Sequence, residues 1–142
     1  MLKLTNYLPV FLLSLLVLTI SVIADEKKDI LGDWDIKLTP KENNTLEHTD
    51  KPYDDVLTLK GDKISTKVCT SFGFESVSFT TKNGKKVEYT YIMKSAKHGR
   101  AIWKFSVNND KIEGAFSWEK DDKKANFTFK GERNKEDKKK KK

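Results

Sequence analysis

The chain reads as an all-β protein: an eight-stranded antiparallel up-and-down β-barrel, preceded by a signal-peptide helix and followed by a disordered basic tail. Three observations predict this. Past Ala24 there are eight short runs with period-two alternation or β-branched and aromatic enrichment, each bounded by turn residues. Every connection after the first is short, so consecutive strands are antiparallel neighbours in a meander. No segment beyond the leader repeats its apolar residues at helical spacing.

The elements follow in order. Residues 1–24 form the leader: Lys3 is its one cation, Tyr7–Ala24 is uncharged, and charge returns at Asp25-Glu26-Lys27-Lys28. A short basic start, an apolar stretch and a small-residue end are expected of a cleavable export signal, with an uncleaved membrane anchor as the alternative reading. The first strand is expected over Ile30–Leu38, "ILGDWDIKL", followed by a polar loop with Pro40 and Pro52 at its ends. The second runs Tyr53–Lys60, and Gly61-Asp62 turns tightly into the third, Lys63–Thr70. After a connection containing Gly73 comes the fourth, Ser76–Thr81, with Asn83-Gly84 as a strong hairpin signal behind it. The fifth is Lys86–Lys94, the sixth Arg100–Val107, the seventh Lys111–Glu119 and the eighth Ala125–Lys130. Residues 25–131 are thus the barrel domain and 132–142 the lysine-rich tail.

Alternation names the core. Ile30, Gly32, Trp34, Ile36 and Leu38 share one face of the first strand; Asp33, Asp35 and Lys37 share the other. The fifth strand offers Val87, Tyr89, Tyr91 and Met93, the sixth Ala101, Trp103, Phe105 and Val107, the seventh Ile112, Gly114, Phe116 and Trp118, and the eighth Ala125, Phe127 and Phe129. Closing such a meander removes the exposed edges that invite aggregation. It also leaves an interior wide enough only for side chains or one small ligand.

Gly32-x-Trp34 at the start of the first strand, with Arg133 just past the last, resembles the signature of the lipocalin and calycin superfamily, and in particular its small bacterial lipocalin-like domains. The resemblance implies that Trp34 plugs one end of the barrel, that Gly32 leaves room beside it, and that Arg133 packs over the indole. The turn Asn108-Asn109-Asp110 shares only the Asp of the family's second motif.

Composition narrows the function. The chain carries a net charge of +7, but the tail Glu132–Lys142 holds +4 of it and the body Asp25–Gly131 only +2. The domain therefore has no basic face. Its lysine-rich tail is suited to anionic surfaces. No stacking aromatics accompany these lysines, so no specific nucleic-acid partner is expected. Cys69 is the single cysteine, which excludes an internal disulfide, and no Cys follows the leader to carry a lipid anchor. It is expected to be a half-buried strand residue. His48 and His98, the two histidines, fall in loops, and His48-x-Asp50 supplies too few ligands for a metal. Asp54-Asp55 and Asp121-Asp122 read as solubility charges, adjacent strand residues facing opposite ways. Asn43-Asn44-Thr45 and Asn126-Phe127-Thr128 match the glycosylation pattern. No catalytic constellation or cofactor motif is present, so the expectation is a non-enzyme without a cofactor or metal.

The expected function is a secreted or periplasmic binding module for a small hydrophobic molecule, with Trp103, Trp118, Phe105, Phe116, Tyr89 and Tyr91 lining the interior. The alternative is an exported protein-interaction or inhibitor barrel with a filled core. Small periplasmic barrels that inhibit metalloproteases resemble it in architecture.

Overall fold

A computed structural model describes residues 29–140. The leader, residues 1–24, and the last two lysines lie outside the described residues. Residues from Leu31 onward form one unit, distinct from the segment ending at Ile30.

Eight antiparallel strands form a single sheet: β1 (Gly32–Pro40), β2 (Tyr53–Lys60), β3 (Lys63–Thr66), β4 (Glu75–Lys82), β5 (Glu88–Ser95), β6 (Gly99–Asn108), β7 (Lys111–Lys120) and β8 (Lys123–Arg133). Their order is β3-β2-β1-β8-β7-β6-β5-β4, a meander whose first and last strands pair side by side. β1 and β8 run in register from Trp34 opposite Arg133 to Pro40 opposite Phe127. The barrel is nearly closed, and its one seam lies between β3 and β4. No ladder joins those two strands. The Ser76 hydroxyl bridges them instead, accepting from the Ile64 N–H at 2.8 Å and donating to the Ile64 carbonyl at 2.8 Å.

The inward faces follow the alternation of the sequence. Trp34, Leu38, Leu57, Leu59, Tyr91, Ala101 and Ala125 have no exposure at all. Rings stack along the axis: Trp103 on Phe116 at 4.2 Å between centroids, Phe116 near Phe127 at 5.7 Å, and Tyr91 parallel to Phe105 at 5.8 Å. Gly114 makes room for this packing. A Cβ on it would stand 2.1 Å from the Lys104 carbonyl oxygen and 2.6 Å from Phe105 Cβ.

One end of the barrel is sealed as the Gly-x-Trp pattern implies. The Arg133 guanidinium lies 4.2 Å from the centroid of the Trp34 ring. It donates from Nε to Asp110 at 3.0 Å and from Nη1 to the Leu31 carbonyl at 2.8 Å. Arg133 is the last residue of β8, so the strand is longer than the expected Ala125–Lys130. Gly32 has φ 119°, a conformation that side chains strain to adopt.

The third strand differs from expectation. It ends at Thr66, and Lys67–Ser71 form a short helix, α1, in place of further strand. A long-range carboxylate overrides the β-propensity of Lys67-Val68-Cys69-Thr70. Asp55, read from the sequence as a solubility charge, is 7% exposed and accepts from the Lys67 N–H at 3.0 Å and the Val68 N–H at 3.2 Å. Thr66 caps the same end, its hydroxyl accepting from the Cys69 N–H at 3.0 Å. Gly73, at φ 69°, ends the turn and lets the Phe74 N–H reach the Cys69 carbonyl at 3.0 Å. Cys69 is therefore fully buried on a helix and not half-buried on a strand. Within the tail expected to be disordered, Lys135–Lys140 is a short helix, α2.

Two expectations follow. Gly114→Ala destabilises the fold by at least ~2 kcal/mol, because the added methyl meets backbone on a neighbouring strand. A urea midpoint equal to wild type contradicts the close approach. Burial, aided by the nearby Asp55 charge, pushes the Cys69 thiol up from 9.0 to about 11, against the opposing Thr66 and Trp103 donors. The folded state thus holds this proton more tightly than the unfolded one. That contribution is intact below pH 9 and is lost as pH rises towards 11, about 3 kcal/mol in all. Urea titrations at pH 7, 9 and 10.5 should show wild type losing more stability over this window than Cys69→Ala. Equal losses contradict the assignment.

Candidate functional site

The rings that project inward are almost wholly buried. Trp103, Phe105, Phe116 and Phe129 are exposed by only 1–3% and Tyr91 not at all. Of the six residues expected to line a cup, Trp103, Phe105, Phe116, Tyr89 and Tyr91 are core, packed ring against ring. Trp118 lines an opening.

That opening is a cleft of about 800 Å³ at the end of the barrel opposite the Trp34–Arg133 seal. Four segments wall it: the loop between β1 and β2, the α1–β4 connection, the β5–β6 turn and the β7–β8 turn. Their apolar contributions are Leu46, Pro52, Tyr53, Val68, Phe72, Trp118 and Phe127. Phe72, which ends α1, is 38% exposed and packs on Trp118 at 5.2 Å and edge-on to His98 at 5.0 Å. Tyr53 meets Phe127 edge-on at 5.7 Å. Burial, reinforced by Cys69 and Asp55, raises the Tyr53 hydroxyl well above the usual tyrosine range.

The walls are held in place by hydrogen bonds the sequence does not announce. Beyond Pro40, which ends β1, the loop continues the ladder along β8. Lys41 N–H donates to the Asn126 carbonyl at 2.8 Å, the Asn126 N–H donates to Asn44 Oδ1 at 2.8 Å, and the Lys124 N–H donates to Thr45 Oγ1 at 2.9 Å. Asn44 and Thr45, noted in the sequence for a glycosylation pattern, thus act as ladder partners. Across the cleft, the Trp118 indole N–H donates to the His98 carbonyl at 2.6 Å and pins the β5–β6 turn to β7. Ser95 completes this corner, its hydroxyl donating to the Phe72 carbonyl at 2.9 Å and accepting from the His98 N–H at 3.2 Å.

Both histidines line this one cleft, although nothing in their spacing signals it. Its rim is charged but balanced, with Lys51, Lys120 and Lys123 against Glu47, Asp54 and Asp121. Among the described residues no group of His, Cys, Asp and Glu is arranged to hold a metal ion.

Among the described residues, two buried side-chain polar atoms lack a close hydrogen-bond partner: Tyr91 Oη and Trp103 Nε1. The Trp103 N–H has the Cys69 sulfur, a weak acceptor, beside it. Each such buried group costs ~1–3 kcal/mol relative to a satisfied one.

Comparison with known protein families, with curated proteins and with solved structures finds no match for this chain.

Proposed function

We propose that the chain is an exported, non-catalytic binding module of lipocalin-like build, which holds a small hydrophobic molecule in the loop-end cleft and not on the barrel axis. The observation that supports this most is the aromatic corner of Phe72 and Trp118 facing an opening of about 800 Å³. Ligand pockets typically span ~300–1,000 Å³, with apolar walls and a few fixed polar groups. Here Tyr53 and the two histidines are the polar groups on hand. The lipocalin-like description draws on Gly32-x-Trp34 in β1 and on Arg133 over the indole. Export draws on the leader of residues 1–24.

A second reading has the cleft and its rim docking another exported protein, with no small ligand. The filled axis and the outward-facing Phe72 favour it.

Binding of N-phenyl-1-naphthylamine, a neutral probe that fluoresces in apolar sites, separates the two. The cleft reading expects saturable binding with quenching of Trp118, since Trp34 and Trp103 are buried. Phe72→Ala weakens it by about tenfold, the worth of one aromatic contact. Phe105→Leu, a change on the axis, leaves the affinity unchanged. Absence of saturable binding, or loss through Phe105→Leu with Phe72→Ala silent, contradicts the proposal.

A further inference from the structure

Seven of the eight junctions around the barrel are backbone ladders; the β3–β4 junction is not. β3 has four residues against eight in β4, so most of β4 has no strand on that side. A bulge between Ser76 and Ser78 shifts the register of β4 against β5 at this point. What crosses the seam is the Ser76 hydroxyl, bonded to both backbone groups of Ile64, and the segment through α1 that links the two strands.

The two buried polar atoms without a close partner, Tyr91 Oη and Trp103 Nε1, both lie near this junction. Tyr91 sits opposite Phe79 of β4, with ring centroids 4.5 Å apart, and its hydroxyl feels the charge of Asp62 in the β2–β3 turn. The Trp103 indole N–H faces Cys69 in α1, the helix that spans the seam. Opening any other junction breaks a backbone ladder. Opening this one breaks the serine bridge and gives water to Tyr91 Oη, which lacks a partner, and to Trp103 Nε1, which has the weakly accepting Cys69 sulfur beside it.

We propose that the barrel opens locally at the β3–β4 seam, with Ser76 as its latch, admitting water to Trp103 Nε1 and Tyr91 Oη. Opening carries α1 and Phe72 away from Trp118, so the cleft wall moves with the seam.

The indole N–H of Trp103 reports this directly, because it exchanges with deuterium only when solvent reaches it. In the wild-type chain it should exchange at least about tenfold faster than the ladder amides of β7, through local rather than global opening. Ser76→Ala should speed it by about a further tenfold and leave the β7 amides unchanged, while Ser76→Thr, which keeps a hydroxyl, restores the wild-type rate. Should Ser76→Ala fail to fold, the wild-type comparison of Trp103 with β7 decides alone. Exchange of the Trp103 N–H at the β7 rate, or a Ser76→Ala effect spread equally over β7, overturns the proposal.

Discussion

Side chains meeting around one axis set the terms for everything else in this barrel. Eight strands leave an interior about as wide as the side chains that project into it, and here nearly every projecting residue is large and several are aromatic. Trp103 stacks on Phe116 and stands edge-on to Phe129 at 5.2 Å, while Phe105 runs parallel to Tyr91. The wall must tighten where these rings crowd, and Gly114 permits it by carrying no side chain. At one end the space is closed by Trp34 under Arg133. The open cleft lies at the other end, where the loops rise above the last layer of rings.

The geometry of that open end traces to a few polar groups acting at long range. Asp55 turns the chain after Thr66 into a helix, and the helix delivers Phe72 to Trp118. Asn44 and Thr45 take over the β8 ladder after Pro40 interrupts it, which holds the opposite wall. The same Asp55-driven turn cuts β3 short, so β4 is left with a serine where its neighbours have a ladder. Cleft and seam are two consequences of one buried carboxylate.

Much of the barrel was legible in the sequence because its signals are local. Alternation placed all eight strands, with β2 recovered from Tyr53 to Lys60, and the turn residues gave the meander. Gly32-x-Trp34 and Arg133 named the sealed end. The helix at Lys67–Ser71 was not legible, since its cap donors are answered by Asp55, twelve residues earlier on another strand. The expected lining was named from parity alone. Parity tells which face a ring is on, but not whether the rings facing it leave space between them. His48 and His98 converge only through the fold, being fifty residues apart on separate loops.

A crystal held under xenon pressure measures the filled axis most directly, because xenon enters dry apolar voids and has little affinity for packed interiors. If the rings fill the barrel, no xenon density appears among Trp103, Phe105, Phe116 and Phe129, and any that binds lies in the cleft beside Phe72 and Trp118. An ordered xenon atom on the axis would contradict this and return the ligand to the interior.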